Sequence, residues 1–363
     1  MRATTMQAVI RRQARLVCDE IAEPVLGAGQ VLLRTLTCGI CGSDLHVHQH
    51  AERLAALRRR AGRPYLDPDR DIVFGHEFCG EILAHGPGTS RSLKAGTRVV
   101  ALPYATGQSG RETVGLSNRF PGGLAERVCV DEAMLLAVPN GLSDIHAALT
   151  EPFAVGAHAV AQAQLDGDSV ALVLGCGPVG LAVVAALKAR GFGPVVAADF
   201  SLARRQAAER LGADILVDPA ERSPHACWTE LGVSASLLER DLARAAGRRA
   251  ANPVVFECVG VPGMLQGILE GVVPGAQIIV VGVCMEEDRI EPSIAINKQL
   301  SFRFVAAYTP DEFARTLSDI AEGRIDVRRI ASTLVGRAGV ADAFDALKKP
   351  ETQVKIVVET GRA

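Results

Sequence analysis

The hydrophobic pattern changes character part-way along the chain. Up to about residue 155 it consists of short apolar runs separated by glycine and proline, among them VLLRTL, RVVAL, ERVCV and LLAVP. Such runs are typical of β-strands, so this part is predicted to be β-rich. From about residue 156 apolar strands alternate with alanine-rich helices, as in VALVLG, VGLAVVAALKARG and PVVAAD. This alternation predicts a parallel sheet with helices on both faces, because parallel strands need crossover connections.

The last part of the chain predicts a helix and a closing strand. TPDEFARTLSDIAEGRI reads as a helix with Thr309 as its N-cap and Pro310 in its first turn. QVKIVVE reads as a strand that returns to the first domain. We therefore expect an α/β protein, in which a doubly wound domain at 156–297 separates the two parts, 1–155 and 298–363, of a β-rich domain.

Composition and charge favour a globular protein with a small-molecule partner. The chain has 363 residues, of which 48% are hydrophobic, and its formal net charge is -2. This length exceeds one ordinary core, and the near-neutral charge offers no general attraction for nucleic acid or an anionic membrane. The uncharged run at 169–187 is interrupted by GCGPVG, so a strand, a glycine turn and a buried helix explain it better than a membrane span.

Cysteine usage indicates reduced thiols. The nine cysteines are an odd number, and they are scattered along a chain large enough not to need disulfides. The N-terminal MRATTMQAVIRRQ has no apolar core of signal-peptide length. We therefore predict a cytoplasmic location.

A glycine fingerprint, G175-C-G-P-V-G180, follows a predicted strand and opens a predicted helix. In this context Gly175 permits a tight turn, Gly177 lets the backbone approach a diphosphate, and Gly180 lets helix and strand pack closely. Pro178 and Val179 form the helix start, where unpaired N–H groups and the helix dipole favour an anion. The segment predicts a dinucleotide site.

The coenzyme predicted for this site is NAD. PVVAAD ends in Asp199, where a carboxylate can accept hydrogen bonds from the adenosine ribose and would repel a 2'-phosphate. Arg204 and Arg205 follow closely and either reach a phosphate or are solvated. Val259 and Val283 mark later strand ends, where the ribose of the cofactor would lie.

The stretch CGICGSDLH, residues 38–46, carries the most concentrated chemistry in the chain. A redox CxxC would need a thioredoxin-like context, and a zinc ribbon would need a second CxxC; neither is found. GHEFCG and TEPFAVGAHAV lie downstream. One thiolate, one imidazole and one or two carboxylates together can form an open zinc site.

The order of these motifs over nearly the full length resembles the zinc-dependent medium-chain alcohol dehydrogenases, in particular the sorbitol and threonine dehydrogenase branch. The shared series is Cys-Gly-Ser-Asp, GHExxG, PGGxAE, EPxAVxxHA, GxGPVG and the QVKIVVE tail. The resemblance implies a GroES-like catalytic domain beside the Rossmann domain. It also implies a reversible hydride transfer between NAD and a secondary alcohol or polyol.

The resemblance further assigns the metal site. It implies that Cys41, not Cys38, is the thiolate ligand and that His76 is the imidazole ligand, while Asp44 orients His76. The remaining ligand is left open between Glu77 and Glu151. Cys38 is predicted to be a packed thiol.

Two departures from the family pattern stand out. The structural zinc lobe normally carries four cysteines, but residues 81–128 contain none, so we expect one catalytic zinc per subunit. The segment 47–72 is expected to be an insertion beside the active-site mouth. Within the neighbouring pocket segments, Tyr104, Arg111 and Asn118 are candidate polar contacts.

For the reaction, the resemblance assigns a proton relay to Ser43 and His46, with Glu151 also at the catalytic site. It places Val155 behind the nicotinamide ring and Lys355 near the diphosphate. A homodimer or homotetramer is the usual assembly in the family. Two rival interpretations remain: a zinc-free quinone reductase of the same fold, and a protein that binds NAD or zinc without turnover.

Overall fold

The computed structural model describes residues 4–62, 66–108, 110–139, 141–330, 333–349 and 353–361. Its strands are β1 Thr5–Arg12, β2 Arg15–Ala22, β3 Gln30–Gly39, β4 Ile72–Val73, β5 Glu77–His85, β6 Arg98–Ala101, β7 Tyr104–Gly107, β8 Gly110–Thr113, β9 Arg127–Asp131, β10 Leu135–Ala137, β11 Ser169–Leu174, β12 Val195–Ala198, β13 Ile215–Val217, β14 Asn252–Glu257, β15 Gln277–Val280, β16 Ser301–Phe304, β17 Thr333–Val335 and β18 Ile356–Glu359. Its α-helices are α1 Gly42–Arg60, α2 Asp144–Ala148, α3 Thr150–Gln162, α4 Pro178–Ala189, α5 Leu202–Arg210, α6 Cys227–Glu230, α7 Leu237–Ala245, α8 Met264–Gly271, α9 Pro292–Asn297, α10 Pro310–Ala321 and α11 Val340–Leu347.

The chain divides into two compact units. The first unit comprises Met1–Glu151, Phe313–Gly323 and Ala331–Ala363, and the second comprises Pro152–Glu312 and Arg324–Ile330. None of the described helices is long and apolar enough to cross a membrane.

The first unit is built around a seven-stranded sheet. Its strand order is β10-β6-β5-β3-β18-β17, and β9 also pairs with β3. The predicted C-terminal strand does return here, because β18 runs antiparallel to β3 with Val357 opposite Gly39. On the other side of β3, Gly39 lies opposite Glu77 of β5. These two pairings bring three distant parts of the chain together at one end of β3.

The segment 47–72, expected to be an insertion, belongs largely to one helix. Helix α1 starts at Gly42, has a kink at His50 and ends at Arg60. Cys41 adopts the extended N-cap conformation, and its backbone N–H donates to Asp44 Oδ2 at 3.0 Å. The Cys-Gly-Ser-Asp motif is therefore a helix start, which the acidic residue three positions after the cap signals.

The second unit contains a six-stranded parallel sheet in the order β13-β12-β11-β14-β15-β16. The order reverses between β11 and β14, which is the switch point of doubly wound folds. Strands β11 and β12 are buried at every position, as expected of parallel strands covered on both faces.

The second unit extends beyond the predicted boundary at residue 297. Ser301–Phe304 pairs in parallel with β15, so it forms the sixth strand of this sheet instead of belonging to the returning β-rich part. The helix after it starts as predicted. The Glu312 N–H donates to Thr309 Oγ1 at 3.2 Å, and the Thr309 N–H donates to Glu312 Oε2 at 2.8 Å. This reciprocal pair is a capping box.

Candidate active site

Three potential metal ligands converge in the first unit. One ligand atom from each of Cys41, His76 and Glu77 lies within 4.8 Å of the other two. Cys41 lies two residues after the end of β3, His76 precedes β5 and Glu77 is the first residue of β5. The pairing of Gly39 with Glu77 explains the convergence, because it places the ends of the two segments side by side.

The imidazole of His76 is held between two polar groups of α1. Its Nδ1 lies 3.3 Å from Asp44 Oδ1, and its Nε2 lies 3.3 Å from Ser43 Oγ. Burial by itself lowers the pKa of His76, but the Asp44 carboxylate and the Cys41 thiolate outweigh it and hold the pKa well above its ordinary value. Asp44 is fully buried, so it orients the ring within a site shielded from water.

Glu77 forms a buried ion pair with Lys355. The Lys355 ammonium also donates to the Ile40 carbonyl at 2.9 Å. Burial lowers the pKa of Lys355, but Glu77, Cys41 and Glu151 outweigh it and raise the pKa. The resemblance implies a position near the diphosphate for Lys355; in the structure its side chain is fully buried and its ammonium faces groups of the metal cluster.

Glu151 lies near this cluster without being part of it. It stands in the first turn of α3, is 9% exposed, and its charge is one of those that raise the pKa of Lys355. The group of ligand atoms within 4.8 Å contains Glu77 and not Glu151. Between the two glutamates left open by the sequence, the geometry therefore favours Glu77.

The cluster fits a zinc ion. A thiolate, an imidazole and a carboxylate are donors that zinc prefers, and three protein ligands leave a coordination position for substrate. Glu77 Oε1 is buried and has no hydrogen-bond partner among the described residues, as expected of an oxygen that needs a cation. Across the described residues, this is the only such group of three or more ligands found.

Cys38 occupies a separate, closely packed environment. A Cβ atom added to Gly75 or Gly123 would lie 2.6 or 2.9 Å from Cys38 Sγ. Burial raises the pKa of this thiol well above its ordinary value. These contacts are those of a packed thiol, and they leave Cys41 as the cysteine of the cluster.

The predicted pocket residues outside the cluster have other surroundings. Asn118 Oδ1 accepts from the Asp67 N–H at 2.7 Å, and its Nδ2 donates to the carbonyls of Asp67 and Asp71 at 3.0 and 3.1 Å. The Asn118 side chain therefore stabilises the 66–71 loop through hydrogen bonds to its backbone. Arg111 is exposed on the β7–β8 hairpin, and Tyr104 is half-buried at the start of it.

His46 lies on α1, close after Ser43. Burial lowers the pKa of its imidazole, and the neighbouring His50 lowers it further. The ring is therefore neutral near neutral pH and able to accept a proton.

The glycine loop of the second unit has the geometry that its sequence predicts. Gly175 has a φ of 87°, a conformation that favours glycine, and its N–H donates to the Ala198 carbonyl at 2.8 Å. A Cβ on Gly180 would overlap the Gly175 carbonyl oxygen. Gly177 is the N-cap of α4, with Pro178 in the first turn, and the nearest atom to a Cβ there is Arg204 Nη1 at 3.9 Å. The helix start is thus open to a ligand.

Asp199 follows β12 and closes one side of this loop. Its Oδ2 accepts from the Cys176 N–H at 2.7 Å, and its Oδ1 accepts from the Ser201 N–H at 2.8 Å. Arg204 Nη1 lies 3.9 Å from Asp199 Oδ2, while Arg205 pairs with Asp218 at 2.9 Å. The carboxylate that the sequence assigned to the ribose therefore lies beside the glycine loop.

Val259 and Val283 follow β14 and β15 and are 38% and 55% exposed. The side chain of Val259 lies against Gly175, since a Cβ there would be 2.7 Å from Val259 Cγ2. Val283 lines a cavity of about 300 Å³. Both valines are thus accessible at the carboxyl ends of the parallel strands, where ligands of doubly wound sheets bind.

Comparison with known proteins agrees with both units. The family model for the alcohol dehydrogenase GroES-like domain matches residues 27–140, and the model for zinc-binding dehydrogenases matches 178–322. Over 349 residues the chain is 32% identical to the (R,R)-butanediol dehydrogenase of Bacillus subtilis, covering 94% of this chain and 95% of the relative. The chain belongs to the zinc-dependent alcohol dehydrogenase family.

Other relatives lie in the same branch. The sorbitol dehydrogenase of Bacillus subtilis is 26% identical over 369 residues, covering 98% of this chain and 97% of the relative. The crystal structure of 2R,3R-butanediol dehydrogenase from Bacillus subtilis superposes with a TM-score of 0.77 at 30% identity, covering 98% of this chain and 99% of that one. The predicted fold class, oxidoreductase activity and use of zinc with a nicotinamide dinucleotide are confirmed at the level of this family.

One feature of the metal site was not predicted from the sequence: the ion pair between Lys355 and Glu77. The signal available was a single lysine within the apolar tail QVKIVVE, since a lysine in a buried strand needs an anionic partner. The partner itself could not be read from the sequence, because it depends on the pairing of β18 with β3.

Proposed function

We propose that this dehydrogenase oxidises a secondary alcohol, with a vicinal diol or another polyol as its substrate class, to a ketone, reversibly and with NAD as the preferred coenzyme. The observation that carries the proposal is the cluster of Cys41, His76 and Glu77 within 4.8 Å. The chain shares 32% identity with a butanediol dehydrogenase, which supports the substrate class. A zinc-free quinone reductase would not need this ligand set.

The roles of the chain's own residues follow from their positions. Cys41, His76 and Glu77 would hold the zinc ion, whose Lewis acidity lowers the pKa of an alcohol hydroxyl and so favours loss of its proton. Asp44 keeps His76 in place through its contact at Nδ1. Ser43 Oγ would take up the hydroxyl proton while releasing its own towards His46. The lowered pKa of His46 leaves its imidazole neutral, so it can accept that proton and pass one on to water.

The coenzyme roles belong to the second unit. The start of α4 would hold the diphosphate through its unpaired N–H groups, with Gly177 allowing close approach. Asp199 would accept hydrogen bonds from the adenosine ribose and repel a 2'-phosphate, which supports NAD over NADP. Val259 and Val283 would lie beside the riboses.

Assembly into a homodimer or homotetramer also belongs to the proposal. Strand β16 is the edge of its parallel sheet, and the side chains of Ile296 and Phe304 are 73% and 69% exposed. An open strand edge with apolar neighbours favours symmetric pairing of two copies. All nine cysteines are free thiols, which supports a reducing compartment such as the cytoplasm.

The test is a substrate panel with zinc measured in the same samples. The three stereoisomers of 2,3-butanediol, sorbitol, L-threonine and ethanol are offered with NAD or NADP, and formation of the reduced coenzyme is recorded. We expect turnover of at least one diol or polyol with NAD, together with one zinc per subunit. Full activity after exhaustive removal of zinc, or no turnover of any secondary alcohol by the zinc-loaded protein, would contradict the proposal.

A further inference from the structure

Lys355 is a fully buried lysine that the reaction described above does not use. Its ammonium pairs with Glu77 and donates to the Ile40 carbonyl at 2.9 Å. Ile40 directly precedes Cys41, and Glu77 directly follows His76. A single ammonium thus contacts both segments that carry the metal ligands.

The packing around the pair leaves little freedom. Gly39 lies opposite Glu77 in the register of β3 and β5. A Cβ on Gly39 would overlap Glu77 Oε2 and would lie 3.1 Å from Lys355 Cε. The carboxylate and the ammonium are therefore fitted into a space that a larger residue at position 39 would fill.

The charges near Lys355 lie in and beside the metal centre. Glu77 and Cys41 of the centre and the neighbouring Glu151 all act on it. Burial makes such interactions strong, because little water screens them. An ammonium at this place attracts the carboxylate that a zinc ion would bind, and it repels the ion itself.

We propose that Lys355 is a positioning residue that holds the Glu77 carboxylate in competition with zinc and thereby weakens the affinity of the centre for the metal. This inference rests on the metal centre of the proposed function. A purely structural role, in which Lys355 only supports the turn at Ile40 and Cys41, predicts the opposite change in zinc affinity. Loss of the lysine would then loosen the ligands and weaken zinc binding.

The sign of the change in zinc affinity decides between the two roles. The zinc-free wild-type protein and its Lys355→Met variant are titrated with zinc in competition with a chromophoric chelator. We expect the variant to bind zinc at least about tenfold more tightly, because Glu77 is released and a positive charge is removed. Without zinc, the variant should unfold at a lower temperature than the wild type, because a buried carboxylate has lost its partner.

Lys298→Met is the matched control. Lys298 is also partly buried and donates to three carbonyls, those of Leu269, Glu270 and Val272, but it lies in the second unit. This variant should lose stability while its zinc dissociation constant stays that of the wild type. Lys355→Arg keeps the charge and should return the zinc affinity most of the way to the wild-type value.

A second pair of variants covers the case in which Lys355→Met does not fold. Glu77→Gln and the double variant Lys355→Gln with Glu77→Gln contain no unpaired carboxylate at position 77. Removing the lysine should tighten zinc binding at least about threefold less in the Glu77→Gln background than in the background that keeps Glu77. If only the Glu77→Gln pair folds, the tightening of zinc binding within that pair should not exceed about threefold. Weaker binding in Lys355→Met, an unchanged affinity, or a tightening in the Glu77→Gln background that exceeds these limits would overturn the inference.

Failure of the metal centre itself gives a different result. Cys41→Ser measured in the same way should lose most of its zinc affinity. If it binds zinc as the wild type does, the proposed function and this inference both fail. If Cys41→Ser loses zinc while the Lys355 variants keep the wild-type affinity, the inference alone fails and the proposed function stands.

Discussion

The metal centre of the first unit and the glycine loop of the second unit are built in opposite ways. The metal centre gathers side chains from separated segments, with Cys41 after β3 and His76 and Glu77 at the start of β5. The glycine loop is one continuous turn between β11 and α4, in which bare backbone forms the ligand surface. One site depends on side chains being present, and the other depends on their absence.

This difference predicts which substitutions damage each site. Truncating a side chain should disable the metal centre, whereas adding even one methyl group should disable the glycine loop. Because the two sites lie in different units, each kind of damage should leave the binding function of the other intact.

The largest effect is expected from Cys41→Ser. Loss of the thiolate should remove zinc and lower kcat/KM for the best alcohol at least about a thousandfold, since the Lewis-acid contribution of several kcal/mol is lost. Zinc content is measured by mass spectrometry, and binding of the reduced coenzyme is followed by its fluorescence. Coenzyme binding should remain within about twofold of the wild-type value.

Cys38→Ala is the matched control for that variant. Cys38 is buried three positions earlier and is packed near Gly75 and Gly123. Its loss should cost roughly 1 kcal/mol of stability by leaving a small cavity, with zinc content unchanged. Loss of zinc in Cys38→Ala but not in Cys41→Ser would mean that the thiolate ligand has been assigned to the wrong cysteine.

Gly180→Ala is the corresponding change in the other region. A methyl group there would overlap the Gly175 carbonyl oxygen, so the loop must distort. Coenzyme affinity should fall by up to about a hundredfold, in line with the roughly 3 kcal/mol that overpacking can cost. Gly267→Ala is the control, because it lies within α8 and has no atom within 4 Å of the added Cβ. Equal coenzyme affinities in the two variants would refute the close packing of the loop.

The contrast also explains how much could be predicted from the sequence. The strand, glycine turn and helix from β11 to α4 were predicted correctly because each glycine has a local reason that its neighbours reveal. The return of the C-terminal strand was predicted from its apolar pattern. Local sequence patterns were therefore enough to predict the fold class and the dinucleotide loop.

What the sequence did not reveal depends on long-range partners. The position of Lys355 beside Glu77 follows from the register of β18 against β3, and the role of Asn118 follows from the path of the 66–71 loop. The addition of β16 to the parallel sheet likewise depends on pairing with β15. A residue's type shows which partner it needs, but only the fold decides which partner it meets.

Asp199→Asn probes the side chain that borders the glycine loop. The amide keeps an acceptor for the Ser201 N–H but loses the charge that would repel a 2'-phosphate. The ratio of kcat/KM for NAD to that for NADP should fall about thirtyfold, and zinc content should stay constant. Asp218→Asn, which removes the partner of Arg205, should leave the ratio nearly unchanged. If neither substitution changed the ratio, the charge of Asp199 would not be the cause of the NAD preference.

The smallest effect is expected from His46→Gln, which tests whether the proton of the substrate hydroxyl leaves the site through His46 of α1. Burial and His50 lower the pKa of His46, so in the wild type the oxidation rate should rise as pH increases through that value and level off near neutrality. The variant should be about tenfold slower at neutral pH and should approach the wild-type rate at alkaline pH, where hydroxide replaces the missing base. His50→Gln, at an exposed position, should keep the wild-type rate while its rising limb moves slightly to higher pH, since a neighbour that lowers the pKa of His46 is gone. A pH profile of His46→Gln that coincides with that of the wild type would show that the proton leaves by another route.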